Sequence, residues 1–233
     1  MCAIAEKRQV TLVSFSGIDG AGKSSQIEAL RGRIEELGLC VSLIRFWDDV
    51  ARLTRMRETT GHTLFRGDRG IGTPDAPIVR RDKNVRSWWM TCVRMGLYIL
   101  DAISLRNVVK KALRSGADLV IFDRYIYDEL ANLTLHTAAA RFYIGLVIKF
   151  VPKPHVSYLL DADPVQAFAR KPEYPVDFLF KSRASYLALS KLIDGMIVVP
   201  PMPTRETEQE ISKHVMGYFR AAPISGRSSV LTR

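Results

Sequence analysis

Short apolar runs recur along the chain, separated by longer stretches in which apolar residues return every three or four positions. The runs are rich in β-branched residues and predict strands, whereas the wider spacing predicts helices. The predicted strands are 10–15, 40–44, 118–122, 155–160 and 196–199. The predicted helical stretches are 27–37, 84–115, 126–150, 164–170, 182–192 and 206–219. This alternation predicts an α/β domain with a doubly wound, five-stranded parallel sheet and flanking helices.

Two segments interrupt the alternation. Residues 58–83 carry glycines and prolines among mixed charges, a composition typical of a long mobile loop or insert. Residues 170–183 are basic at both ends and contain two prolines, which favours a lid. We therefore expect one domain over residues 1–220, followed by a flexible tail over the small, polar and basic residues 221–233.

A glycine-rich motif follows the first predicted strand and opens the first predicted helix. Gly17-Ile-Asp-Gly-Ala-Gly-Lys-Ser24 fits the phosphate-binding P-loop pattern G-x-x-x-x-G-K-S/T. In such a loop the backbone N–H groups turn toward phosphate oxygens, the lysine reaches the outer phosphates and the hydroxyl can ligate Mg²⁺. The motif predicts a site for ATP and Mg²⁺. The residues expected to bind this cofactor pair are Gly17, Asp19, Gly20, Ala21, Gly22, Lys23, Ser24 and Ser25.

A carboxylate and a guanidinium follow the third predicted strand, which runs into Asp123-Arg124-Tyr125. In doubly wound sheets, ligands bind just beyond the carboxyl ends of the strands, so we expect this segment beside the P-loop. Asp123 can hold Mg²⁺ through water, and Arg124 can bind a phosphate with its planar fork. Ser24 and Asp123 are thus the expected metal-holding residues.

Together these motifs resemble the thymidylate kinase family of P-loop nucleoside monophosphate kinases. The resemblance spans residues 10–195. It rests on the P-loop segment 15–25, on Arg45 at the end of the second strand and on the Asp-Arg-Tyr segment 121–125. It also rests on Leu160-Asp-Ala-Asp-Pro164, which precedes a helix and the basic lid. It implies a P-loop kinase fold with a helical lid. It also implies an enzyme that transfers the γ-phosphate of ATP, with Mg²⁺, to a nucleoside monophosphate such as dTMP.

The resemblance also implies roles for single residues. Arg45, Arg124 and Tyr125 would bind the acceptor. Family members carry a catalytic arginine either in the P-loop or in the lid, and this P-loop has none. The lid candidates for the positive charge are Arg170, Lys171, Lys181 and Arg183. The expected catalytic residues are Lys23, Asp123, Arg124, Arg170 and Arg183. The family further suggests a homodimer through packed helices, for which 88–105 offers apolar faces.

The acceptor side departs from the family pattern. Leu100-Asp101-Ala102 stands where the family carries Asp-Arg-Ala. After Asp-Arg-Tyr the family offers a serine and later a glutamine or tyrosine near the base, whereas this chain has Asp128, Glu129 and Leu133. The two carboxylates would bring negative charge toward the acceptor pocket. The alternative reading is therefore a P-loop kinase that acts on a different small acceptor, such as a nucleoside, a sugar or another phosphorylated metabolite.

Charge and hydropathy bear on partners and location. The 34 Lys and Arg against 24 Asp and Glu leave a formal charge of +10, which suits nucleic acid, an anionic membrane or a small phosphorylated ligand. The sequence shows no export signal and no uninterrupted apolar stretch of about 18 residues, so we expect a cytoplasmic protein without a membrane partner. It also lacks a nucleic-acid-recognition motif. A small phosphoryl acceptor is the expected partner, and a non-catalytic, nucleotide-dependent nucleic-acid-binding module is the least favoured alternative.

Overall fold

The computed structural model describes residues 10–51, 88–133 and 135–221. Five parallel strands form one sheet in the order β2-β3-β1-β4-β5. Their bounds are β1 Thr11–Ser16, β2 Val41–Arg45, β3 Leu119–Asp123, β4 Val156–Leu160 and β5 Met196–Val199. Each strand lies within one residue of its predicted position, and the predicted doubly wound, five-stranded parallel sheet is confirmed.

Helices cover both faces of this sheet. They are α1 Lys23–Glu36, α2 Trp88–Ala112, α3 Ile126–Leu130, α4 Ala138–Phe150, α5 Pro164–Arg170, α6 Val176–Ser190 and α7 Thr204–Ala221. A single π-helical turn, Phe46–Val50, follows β2. The predicted insert 58–83, and all but the first residue of the predicted tail 221–233, lie outside the described residues.

Two helical predictions differ from the structure. The stretch 126–150 is divided into α3 and α4, because Thr137 caps a new helix by accepting a hydrogen bond from the Ala140 N–H at 3.2 Å. Helix α6 begins at Val176, earlier than the predicted 182, directly after Pro175 at its N-cap. The second half of the predicted lid is therefore helical.

Side chains alternate between the two faces of the sheet and create a core on each side. Val120 and Phe122 of β3 pack with α2, α3 and α4, whereas Leu119 and Ile121 face α1 and α7. This is the period of two that a strand imposes on its side chains. The sheet is thus buried on both faces, as parallel sheets require.

The carboxyl edge of the sheet brings separate segments together. Because the strands are parallel, β1, β3 and β2 leave the sheet on the same side, and their register pairs Phe15 with Asp123 and Arg45 with Asp123. The P-loop, the Asp-Arg-Tyr segment and Arg45 therefore share one edge, where ligands bind in doubly wound sheets. Among the described residues, no helix is both long and apolar enough to cross a membrane.

Candidate active site

The P-loop turns tightly between β1 and α1. Gly17 and Gly20 have φ values of +142° and +82°, in the left-handed region that favours glycine. A Cβ on Gly17 would stand 2.5 Å from the Leu160 carbonyl oxygen, and one on Gly20 would stand 2.3 Å from that of Ala167. Both glycines are therefore required, since the loop passes directly against the end of β4 and against α5.

Lys23 is the first residue of α1, and its ammonium lies inside the loop. Nζ donates to the carbonyl oxygens of Gly17 at 2.9 Å and Ile18 at 2.8 Å, and the residue is buried. Burial, with a smaller contribution from the neighbouring Arg124 charge, lowers the Lys23 pKa to about 8. Ser24 and Ser25 follow and are exposed. The first-turn N–H groups of a helix lack intrahelical acceptors and favour anions, so this end of α1 can bind phosphate.

Arg124 adopts an unusual backbone conformation immediately after β3. Its φ of +68° is the only positive value among the described non-glycine residues, and its N–H donates to the Phe15 carbonyl oxygen at 3.0 Å. Its guanidinium forms an ion pair with the carboxylate of Asp19 in the P-loop. Left-handed backbone costs a non-glycine residue roughly 1–2 kcal/mol, and such outliers cluster at functional sites. The turn thus aims Arg124 at the P-loop.

Asp128 lies behind Arg124 as a buried carboxylate with its side chain 2% exposed. Its Oδ2 accepts hydrogen bonds from Ser16 Oγ at 2.7 Å and from the Tyr125 N–H at 3.1 Å. Its Oδ1 accepts from the Tyr186 hydroxyl at 2.7 Å and lies 3.4 Å from Arg124 Nη1. Glu129 is also buried. Both carboxylates therefore lie in the protein interior, and Asp128 places its negative charge beside Arg124, which lines the cleft described below. The expectation that the pair brings negative charge toward an acceptor pocket stays a prediction.

A narrow cleft separates the P-loop and Arg124 from α6. Its lining residues are Gly17, Ile18, Asp19, Arg124, Ala131, Asn132, Phe178, Leu179, Lys181, Ser182, Ser185 and Tyr186. The volume of the cleft is about 100 Å³, whereas pockets for small ligands usually measure roughly 300–1,000 Å³. The cleft is thus narrower than a typical small-ligand pocket.

The predicted lid cations occupy different positions. Lys181 on α6 lines the cleft, and Arg170 Nη1 at the end of α5 lies 4.0 Å from the position of a Cβ on Gly22. Arg183 instead forms a two-point ion pair with Asp161, from Nε at 2.6 Å and from Nη2 at 2.7 Å. Arg170 and Lys181 therefore lie at the phosphate-binding side, whereas Arg183 attaches α6 to the end of β4.

Proteins from several organisms are similar in sequence to most of this chain. The probable thymidylate kinase of Methanosphaera stadtmanae is 23% identical over 215 residues, which are 89% of this chain and 98% of the relative. Those of Thermococcus kodakarensis and Thermococcus gammatolerans are 28% identical over 206 residues and 26% identical over 226 residues, with 84% and 92% of this chain and 91% and 98% of the relatives covered. This chain is therefore similar to the thymidylate kinases over most of its length, with a divergent sequence.

No protein-family model matches the chain, in keeping with that divergence. The similarity to thymidylate kinases nevertheless extends over nearly the whole length of both partners. The family resemblance read from the P-loop, the Asp-Arg-Tyr segment and the Leu-Asp-x-x-Pro segment is confirmed. The prediction of a P-loop kinase is confirmed with it.

The residues predicted on the acceptor side divide into two groups. Asp123 is half-buried at the carboxyl end of β3, and the neighbouring Arg45 is exposed, with its N–H bound to Asp49 Oδ2 at 2.8 Å. Tyr125, in contrast, is fully buried, and its hydroxyl donates to the Pro152 carbonyl oxygen. A phenol in the core cannot contact a substrate, so we leave Tyr125 out of the proposed site.

Two residues of this arrangement, Ser16 and Tyr186, were not predicted from the sequence. Ser16 ends β1 directly before the P-loop and is buried. Tyr186 follows Ser182 by four positions on α6 and so shares its helix face. Lys181, Ser182 and Tyr186 line the cleft together. The spacing of four residues between Ser182 and Tyr186 was therefore the sequence signal that could have indicated Tyr186.

Proposed function

We propose that this protein is an ATP- and Mg²⁺-dependent phosphotransferase that moves the γ-phosphoryl group onto a nucleoside monophosphate such as dTMP. The observation that carries the proposal is the cleft in which the P-loop residues Gly17, Ile18 and Asp19 lie beside Arg124. The Lys23 ammonium binds the Gly17 and Ile18 carbonyl oxygens of the same loop. Phosphoryl transfer requires positioning and charge stabilisation rather than a covalent protein group. The similarity to thymidylate kinases supports the nucleotide acceptor.

The donor side suits a triphosphate with its metal. Residues 17–25 would bind the phosphates through backbone N–H groups, and the Lys23 ammonium would contact the outer phosphates. The Ser24 hydroxyl and the Asp123 carboxylate are oxygen donors at the same edge of the sheet, and Mg²⁺ prefers such donors together with substrate phosphates. When bound, Mg²⁺ supplies positive charge that neutralises the transferring group.

The acceptor side would use the remaining cations. Arg124 would contact the acceptor phosphate through its planar guanidinium, and the exposed Arg45 would bind the same group from the neighbouring strand. Arg170 and Lys181 would stabilise the charge that develops on the transferred phosphoryl group. Arg183 would act through Asp161 by holding α6 in place. We therefore assign catalysis to Lys23, Asp123, Arg124, Arg170 and Lys181.

Closure of the cleft would exclude water from the reaction. The narrow space between the P-loop and α6 supports a lid that opens to admit ligands and closes over them. The irregular residues 171–175 and the first turns of α6 belong to the predicted lid, 170–183. Closure of this segment would bring Lys181 toward the transferred group.

Because the Lys23 pKa is lowered, we expect the affinity for MgATP to depend on pH. The free ammonium loses its proton near pH 8, so affinity for MgATP should fall by up to about tenfold per pH unit above that value. The free energy of unfolding should instead rise with pH between about pH 8 and 10.5. In that range the unfolded chain binds more protons at Lys23 than the folded chain does. Calorimetric titration at a series of pH values measures the first effect, with Lys23→Met as a control that lacks it. Equal affinity at pH 7 and about pH 9.5 would contradict this assignment.

The acceptor is tested by transfer of labelled phosphate from γ-labelled ATP to a panel of dTMP, other nucleoside monophosphates, nucleosides and sugars. We expect dTMP to give a diphosphate. One observation favours a different acceptor: Asp19 and Asp128 both lie against Arg124 and reduce the positive charge offered to a phosphate. A product from a nucleoside or a sugar, with none from any monophosphate, would establish that second candidate. Binding and hydrolysis of ATP without transfer to any acceptor would contradict both.

Two further expectations stay predictions. Apolar side chains are exposed on the neighbouring helices α2 and α4, where packed helices of a homodimer would meet. They are Val93, Ile99, Leu100, Ile103, Phe142, Leu146 and Phe150. The first expectation is thus a homodimer, and the second is a cytoplasmic location.

A further inference from the structure

The contacts of Asp128 connect three separate parts of the chain. Its partners are Ser16 at the end of β1, the Tyr125 backbone at the start of α3, Tyr186 on α6, and Arg124 itself. Sequence separations of 112 and 58 residues between Asp128 and its Ser16 and Tyr186 partners show that this carboxylate joins distant segments. Of these partners, Arg124 and Tyr186 line the cleft between the P-loop and α6.

A carboxylate buried this completely must be compensated by donors. A buried charge without partners is strongly unfavourable, and here two short side-chain hydrogen bonds and one backbone N–H bind its oxygens. These donors fix the carboxylate on one side of Arg124 while Asp19 fixes the other side. The guanidinium is therefore held between two anions, and its orientation is set before any ligand arrives.

We propose that Asp128 and Tyr186 are positioning residues that hold the Arg124 guanidinium for the acceptor phosphate. Asp128 binds Arg124 directly, and Tyr186 acts by fixing the Asp128 carboxylate. Because Tyr186 belongs to α6, which also carries Lys181, the position of α6 and the orientation of Arg124 depend on each other. This role in binding the acceptor rests on the proposed function; the immobilisation of Arg124 does not.

The order of the Arg124 side chain is the direct test, and it needs no substrate. In ¹⁵N NMR spectra the Nε–Hε signal of Arg124 is assigned by its disappearance in Arg124→Lys, and its relaxation reports side-chain motion. We expect a rigid guanidinium in the unaltered protein and a mobile one in Asp128→Asn and in Tyr186→Phe. The double variant should resemble Asp128→Asn alone, since Tyr186 acts through Asp128.

A matched control is available in Tyr143→Phe. The Tyr143 hydroxyl donates to the Met95 carbonyl oxygen at 2.6 Å, away from the cleft, so this variant also loses one tyrosine hydrogen bond. Its Arg124 signal should not change. If Asp128→Asn does not fold, Tyr186→Phe still tests the proposal because it removes a single hydroxyl oxygen.

Steady-state kinetics provide the second readout. Both variants should raise KM for the acceptor by about tenfold, the loss expected for one hydrogen bond to a charged group, and should leave KM for MgATP unchanged. An unaltered Arg124 signal in the folded variants would overturn the proposal, as would a mobile Arg124 with unchanged acceptor KM. If the unaltered protein transfers phosphate to no acceptor, the proposed function fails, and the NMR result alone decides whether Asp128 and Tyr186 immobilise Arg124.

Discussion

Replacement of Lys23 by methionine is expected to lower phosphoryl transfer by at least about 10²-fold, the usual effect of removing one charge-stabilising donor. The Lys23 ammonium lies inside the P-loop and binds the carbonyl oxygens of Gly17 and Ile18. It can exchange these for phosphate oxygens when a triphosphate enters. Methionine fills a similar volume without the charge, so the effect reports on phosphate binding rather than on packing.

Initial rates at saturating acceptor and varied MgATP measure this effect. Lys213→Met on α7 is the matched control, because Lys213 is exposed and does not line the cleft; its rate should equal that of the unaltered protein. Circular dichroism should show the same fold in both variants. A Lys23→Met variant with an unchanged rate would contradict the assignment of Lys23 to the donor phosphates.

Replacement of Arg124 by glutamine is expected to lower kcat/KM for the acceptor by about 10³-fold, at the lower end of the effects of positioned arginines in phosphoryl transfer. Glutamine retains a polar side chain at the left-handed position but loses the charge and the planar fork. Asp128 keeps its hydrogen bonds to Ser16, Tyr125 and Tyr186, so the fold should be maintained. The loss should therefore appear in activity more than in stability.

Kinetics with varied acceptor at saturating MgATP separate this effect from donor binding. The control is Arg31→Gln, which removes an exposed arginine paired with Glu35 on α1 and should cost at most a few tenths of a kcal/mol in stability. Affinity for MgATP should stay close to normal in Arg124→Gln. A kcat/KM for the acceptor near that of the unaltered protein would remove Arg124 from the proposed mechanism.

The sheet and the P-loop could be predicted because their signals are local. Each strand is a β-branched apolar run bounded by turn residues, and the structure shifts none by more than one residue. The P-loop glycines are required by their own positive φ angles, and their spacing is visible within eight residues of sequence. The Asp-Arg-Tyr segment lies at the predicted edge because it directly follows a strand.

The remaining features depend on contacts between residues far apart in sequence. The family resemblance implied that Tyr125 binds the acceptor, but Tyr125 lies in the core directly after the left-handed turn at Arg124. Asp128 can be buried because Ser16 and Tyr186 donate hydrogen bonds to its carboxylate. Arg183 was a lid candidate until Asp161 proved to be its partner. None of these pairings leaves a periodic pattern in the sequence.

Calorimetric titration of the folded protein with MgATP tests the central claim most directly, since every proposed step requires the P-loop to bind a triphosphate. We predict saturable binding at one site per chain, with an affinity in the micromolar to millimolar range common for enzyme substrates, and a large loss of affinity in Lys23→Met. Absence of heat from MgATP binding up to about 10 mM, well above that range, with the fold confirmed by circular dichroism, would contradict the account.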